Sequence, residues 1–325
     1  MKLKRKVLRC GMALIATLTC SWATAQGQYP TKPIRVVVPY PAGGTSDNVA
    51  RIVASGLSNK FGQPVIVENR GGAGTITGTG IVANSEADGY TLLATSTPLA
   101  INESLYKSLP YRIPQDITPV SLMATVPLVM IVHPSSKAKT IQDLIKTIKE
   151  NPGQLTYGSS GNGGSPHLSM EMFLSQIGGK MIHVPYKGSA PAVLDLVGGQ
   201  TDVVVDTLFL TQQQVLANRA RGLAQLGNER SKLMPDVPTL QEAGLKGFDV
   251  SSWFMLTAPG GTPPEVLERL NAAVNEVVTS DAVRQAFAKQ GLEPVGGSRA
   301  NAERFLETQI ERFGAAVKRS GLQPD

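Results

Sequence analysis

The chain has 325 residues, room for two domains of ordinary size and too much for a single small module. Its 42% hydrophobic content, with no apolar run of membrane-spanning length beyond the N-terminal stretch, indicates a soluble globular protein. Of 31 basic residues against 25 acidic ones, five (Lys2, Lys4, Arg5, Lys6, Arg9) lie in residues 1–25 with no acidic partner, so the remainder is balanced and lacks the footprint of a nucleic-acid binder.

In chain order, residues 1–25 read as a cleavable secretory signal: a basic start, an apolar stretch from Met12 to Leu18, and the small-x-small site Ala23-Thr24-Ala25. Cys10 and Cys20 both leave with it, and Cys20 is a poor fit to a lipidation site. What remains has no disulfide and no thiolate, whether as nucleophile or zinc ligand. From Gln26 onward, short β-branched runs alternate with longer amphipathic ones, the pattern of an α/β fold with parallel strands. Strands are expected at Ile34 to Val38, Val65 to Glu68, Tyr90 to Ala94, Leu128 to His133, Leu155 to Tyr157, Val203 to Asp206 and Trp253 to Ala258, with helices between most of them. A helix is predicted from Pro263 to Val278, with Thr262 as N-cap and Glu265 completing a capping box. The apolar runs ending near His133 and Ala258 are read as carrying the chain between lobes and back. The first lobe then holds residues 26–125 plus 253–325, and the second holds 126–252.

Three loops carry the candidate chemistry. "PYPAGGTSDNVAR" (39–51) joins a strand end to a helix start, where unpaired backbone N–H groups and the helix dipole favour an anion. Gly43 and Gly44 let a ligand approach the backbone, whereas Thr45 or Ser46 capping the helix is the competing use. "LTYGSSGNGGSPH" (155–167) repeats the design, and "VPYKGSAPAVLDLVGG" (184–199) starts another helix at Ser189. Facing each other at strand ends, such loops form a ligand crevice. They carry almost no cation apart from Lys187, which suits a carboxylate held by N–H groups, hydroxyls and water better than a phosphate ester. Asp206, ending "DVVVD", either braces the following segment or accepts hydrogen bonds from a ligand hydroxyl or amine.

Other motifs fail on spacing. "GGAGTITGTG" (71–80) has Thr77 where a dinucleotide loop needs its third glycine, and neither serine of "YGSSGNGG" has the flanking glycines of a nucleophile elbow. His133, His167 and His183 form no metal-ligand pair. His133 and His183 read as strand-end residues, and His167 as a residue supporting the cleft.

Taken in order, "YPTKPIRVVVPYPAGGTSDNVAR", "QPVIVENRGGAG", "ADGYTLL", "YGSSGNGGSPH", "IHVPYKGSAPA", "GGQTDVVVD", "PDVPTLQEAG" and "EPVGG" resemble the Bug-type periplasmic solute receptors of tripartite tricarboxylate transporters, over essentially the whole chain after Gln26. The resemblance implies an α/β, two-lobed periplasmic binding protein (type II-like, Venus flytrap) with the ligand cleft between lobes. It implies a periplasmic, monomeric, non-enzymatic receptor with no cofactor or metal, which passes a small organic carboxylate to membrane permease subunits. Carried over by residue, the ligand site comprises Tyr40, Ala42, Gly43, Gly44, Thr45 and Asp47, then Ser159, Ser160, Gly161, Asn162 and Gly163, with Lys187, Gly188, Ser189, Ala190 and Asp206 at the far end. The chain departs from the family at Pro98, Leu99 and Glu103, where members often have Thr, His and Pro, and at "DTLF" in place of Asp-Asn-Leu-Pro. The loss of a histidine near the crevice points away from a polar tricarboxylate and toward a less polar or aromatic acid. Two alternatives share the cleft: an exported hydrolase using Ser159 or Ser160 with His167, and a ligand sensor for a membrane kinase.

Overall fold

The computed structural model describes residues 29–320. The expected signal segment lies outside the described residues. A short N-terminal unit ends at Thr31, and the compact unit that carries the site begins at Lys32.

The β-branched run Ile34–Val38 forms β1, buried along nearly its whole length. The alternation then continues through α1 (Thr45–Phe61), β2 (Val65–Asn69), α2 (Ile76–Ala83), β3 (Thr91–Ser96), α3 (Pro98–Leu105), β4 (Ile117–Val132) and α4 (Ile141–Glu150). Next come β5 (Thr156–Ser159), α5 (Ser165–Ile177), β6 (Ile182–Pro185), α6 (Ser189–Val197), β7 (Val203–Thr207), α7 (Leu208–Leu216) and β8 (Arg221–Gln225). The chain closes with β9 (Ser251–Pro259), α8 (Pro264–Thr279), α9 (Asp281–Ala288), β10 (Glu293–Pro294) and α10 (Arg299–Ser320).

The strands form one mixed sheet in the order β2-β1-β3-β9-β4-β7-β5-β6, with β8 and β10 also pairing with β4. The expectation of parallel strands holds at each end, where β1 pairs parallel with β2 and β3, and β5 with β6 and β7. It fails in the middle, because β9 runs antiparallel to β3 and β4, and β4 antiparallel to β7. Strand β4 is much longer than predicted. Its prolines at 119 and 127 and its near-continuous burial conceal the period-two alternation that marks a half-buried strand. Its first part, Ile117 to Pro127, pairs with β9, and Leu128 to Val132 pairs with β7.

Among the described residues, two of the hydrophobic clusters bear on the site. One is built from residues between Leu128 and Val250, including Tyr157, Phe173, Val205 and Phe248. The other joins Val37, Leu93 and Leu99 to Trp253, Met255, Leu306 and Phe313. Strands β6, β8 and β10 were not predicted: β6 is an exposed sheet edge, β8 (RGLAQ) has no β-branched residue, and β10 has only two residues. The capping box expected at α8 does not form. The N-cap is Pro263, and the Thr262 hydroxyl donates to the Pro259 carbonyl at 2.8 Å instead.

Candidate functional site

Four helices begin at one pocket. Gly44 and Thr45 of α1, Ser165 and Pro166 of α5, Gly188 and Ser189 of α6, and Thr207 before α7 all line it. None of these four N-termini has a side chain capping its N–H groups, whereas α4 is closed by a Thr140–Asp143 capping box and α9 by Ser280. The competing reading of Thr45 or Ser46 as a helix cap is thereby overturned. The first-turn N–H groups remain available, and the positive ends of four helix dipoles converge where Lys187 is the only cation lining the pocket. Such an arrangement attracts a carboxylate without an arginine.

The two glycines of the first loop differ. Gly43 has φ of +88°, which a side chain would strain, whereas Gly44 lies in extended backbone, and a Cβ built there meets no protein atom within 4 Å. Gly44→Ala is therefore expected to cost less than about 1 kcal/mol of stability while blocking access to the α1 N–H groups. A loss of at least about tenfold in ligand affinity by calorimetry, about 1.4 kcal/mol, is the expected result; unchanged affinity would move the ligand away from α1.

Of the predicted site residues, Tyr40, Ala42, Gly44, Thr45, Ser160, Lys187, Gly188, Ser189, Ala190 and Asp206 line this pocket. Gly43, Asp47, Ser159, Gly161, Asn162 and Gly163 do not. Asp47 is 5% exposed and turned into its own loop, accepting hydrogen bonds from the Gly43 N–H (3.0 Å), Asn69 Nδ2 (2.9 Å) and Arg51 Nε (3.0 Å). Burial works against its charge, but these donors and the guanidinium hold its carboxyl below the usual range. Ser159 is fully buried, with Oγ 2.7 Å from His183 Nε2 and accepting from the Gly161 N–H at 3.2 Å. The Gly163 N–H donates to His167 Nδ1 at 3.4 Å. Behind the second loop, the His183 ring stacks on His167 with centroids 3.8 Å apart and on Tyr157 at 4.8 Å. Burial, then the neighbouring His183, pushes His167 down to about 3, so it stays neutral. These residues shape the loop from behind. The serine–histidine pair that forms is Ser159 with His183, out of reach of the pocket, and no histidine lines the pocket beside Ser160.

Sequence reasoning missed Ser96, Ser252 and Phe254, which also line the pocket. Period-two alternation along β9 holds the signal: Trp253 and Met255 point into a core, which turns Ser252 and Phe254 the other way. The departure at 98–103 is reinterpreted. Leu99 is fully buried in a core and absent from the pocket, so its replacement of a histidine says nothing of ligand polarity.

Asp206 is the site's buried charge, with 0% exposure. Burial raises its pKa to about 6, opposed by hydrogen bonds from the Thr207 N–H and hydroxyl and by the nearby Ser189 hydroxyl. Tyr40 Oη lies 3.0 Å from Ser96 Oγ. Burial, and then the nearby Asp206 charge, keep this phenol protonated. Segments associated with the two cores meet here: Thr45 Oγ1 lies 2.6 Å from Thr207 Oγ1, and Ser165 Oγ lies 2.5 Å from Ser252 Oγ. The space within this pocket, which is partly open to solvent, is about 40 Å³, a few waters' worth where about 10–15 Å³ admits one.

A family model described as the tripartite tricarboxylate transporter family receptor matches residues 49–322. The chain belongs to this receptor family. The receptor is 39% identical over 311 residues to Protein BugT of Bordetella pertussis, covering 95% of each chain. It superposes on the periplasmic binding protein BugD with a TM-score of 0.87 at 31% identity, over 91% of this chain and 99% of that one. It superposes on R. palustris Rpa4515, solved with adipate, with a TM-score of 0.88 at 35% identity, over 91% of this chain and 100% of that one. The receptor therefore has the two-lobed α/β fold of periplasmic binding proteins, and its family consists of solute receptors and not enzymes. The hydrolase alternative falls with that finding.

Proposed function

We propose that the receptor captures a small organic carboxylate in this pocket and delivers it to the membrane subunits of a tripartite tricarboxylate-type transporter. The supporting observation is the convergence of four helix N-termini without side-chain caps on one pocket that holds a single lining cation. That R. palustris Rpa4515, of similar fold, was solved with adipate agrees with it. The ligand contacts proposed are the lining residues of the three loops together with Asp206, while Asp47, Ser159 and Gly163 brace those loops.

The receptor's two lobes are 26–125 with 253–325 and 126–252, hinged where the chain passes between them in β4 and at the start of β9. A larger organic acid is accommodated as the Thr45–Thr207 and Ser165–Ser252 contacts part, and closure reforms them around it. Residues 1–25 export the chain, and the periplasmic receptor works as a monomer. A ligand bound only to the folded state at a hundredfold excess over its Kd stabilises by about 2.7 kcal/mol, a rise in Tm of roughly 5 °C at this size. A thermal-shift screen across dicarboxylates, tricarboxylates, aromatic acids and amino acids is expected to give such a rise with at least one acid. Shifts with sugars or cations alone would sink the reading.

A further inference from the structure

The two oxygens of Asp206 are treated differently by the protein. Oδ1 accepts from the Thr207 N–H at 2.7 Å and from Thr207 Oγ1 at 3.2 Å. Oδ2, buried in a residue that lines the pocket, accepts a hydrogen bond from no described residue. The Ser189 hydroxyl lies close enough to favour the charged form but makes no well-directed bond to Oδ2.

Hydrogen-bond direction shows that the Thr207 and Thr45 hydroxyls are already committed, whereas the nearby Ser189 hydroxyl is not directed at Oδ2. An ionised carboxylate only accepts, so the Thr207 hydroxyl donates to Oδ1. In the 2.6 Å pair with Thr45, Thr207 is then the acceptor and Thr45 the donor. Thr45 donates to Thr207 and Thr207 donates to Oδ1, so this relay directs no proton to Oδ2. Tyr40 and Ser96 are bonded to each other. Leaving a buried acceptor unpaired is costly, and more so when it is charged. A bound molecule that supplies a donor recovers that cost, whereas a second carboxylate brought to the same oxygen meets like-charge repulsion. A site whose buried polar atom needs a partner rejects the analogue that lacks one.

We infer that the pocket selects carboxylates carrying a hydroxyl or ammonium group that donates to Asp206 Oδ2, over the same acids without it. The inference rests on the carboxylate-receptor reading and narrows it.

The test is titration calorimetry of the full chain at pH 7.5 with three parent acids: succinate, glutarate and phenylacetate. Each is compared with its 2-hydroxy and 2-amino derivative. For at least one parent, a substituted member is expected to bind at least tenfold tighter than the unsubstituted acid. The hydroxyl and ammonium arms show which donor the site takes. In Asp206→Asn, the Thr207 donors keep the amide oxygen on their side and turn the amide NH₂ to where Oδ2 was. The preference should then fall below threefold or reverse toward the unsubstituted acid. An unsubstituted acid that binds as tightly as its derivatives in the wild type, or a preference that survives Asp206→Asn, overturns the inference and leaves the carboxylate reading standing. Failure of all nine acids to bind overturns both. The wild-type comparison requires no variant to fold.

Discussion

Asp206→Asn should make the ligand-free receptor more stable at pH 7.5 and leave its stability nearly unchanged at pH 4. Burial raises the folded-state pKa of this carboxyl to about 6, from an ordinary value of 3.8, opposed by the hydrogen bonds of Thr207 and by the nearby Ser189 hydroxyl. A raised acid pKa means that the folded chain holds the proton more tightly than the unfolded chain does. Between the two values the folded state binds more protons, so stability falls as pH rises through that window. Above about pH 6 the penalty is complete, and below about pH 4 it is absent. Two pKa units correspond to roughly 3 kcal/mol. Asparagine keeps the shape and the acceptor for the Thr207 N–H while removing the charge. Urea or thermal denaturation of both proteins without ligand, at pH 7.5 and pH 4, reads the difference. A variant no more stable than wild type at pH 7.5, or one whose gain persists at pH 4, would show that the buried charge is not the cause. Stability given up at a ligand-facing group is a common trade in functional sites.

Gly78→Ala should destabilise the receptor by about 2–3 kcal/mol and weaken ligand binding, although alanine is the better helix former by about 1 kcal/mol. Gly78 sits within α2, buried, where a Cβ would come 2.6 Å from the Arg70 carbonyl oxygen, 2.8 Å from Pro39 Cβ and 2.9 Å from Pro39 Cα. Backbone and proline-ring atoms cannot swing aside as the end of a flexible side chain can, so the clash outweighs the propensity gain. Pro39 opens the loop that carries Tyr40, Ala42 and Gly44, and a shift there moves the N-terminus of α1 as well. Gly80→Ala, in the same helix, is the control. Its Cβ would meet only Pro110 Cγ, at an ordinary 3.7 Å, so the change should be neutral or stabilising by up to about 1 kcal/mol. Tm and calorimetric affinity for both variants decide the point, and equal behaviour of the two would refute the proposed contact between α2 and the loop.

The residues that sequence placed correctly are those whose role is settled by neighbours along the chain. Strand β1 was legible in Ile34 to Val38, and the glycine loops before α1, α5 and α6 were legible as strand-to-helix turns. The pocket residues they supply follow from that layout. Errors arose where partners lie far apart in sequence. Asp47 entered the ligand site through the family resemblance, but it does not line the pocket, and Asn69 and Arg51 take its oxygens. His183 was read as a strand-end residue, but β6 pairs with β5 and sets its ring over His167 and beside Ser159. Leu99 was judged by the residue it replaces, and packing puts it in the core.

By itself, the sequence determined the alternation of strands and helices, the loops at the strand ends, the scarcity of cations beside them, and through its ordered motifs the family resemblance. These are read from composition and short-range spacing, which act before any long-range contact forms. Only the tertiary structure decided that the four helix starts remain without side-chain caps, that Phe254 and Ser96 also line the pocket, and that one Asp206 oxygen is left without a hydrogen-bond partner. Each depends on which of several polar groups reaches a partner first in space. The Thr45–Thr207 bond, between residues 162 positions apart in the chain, has no local pattern that could announce it.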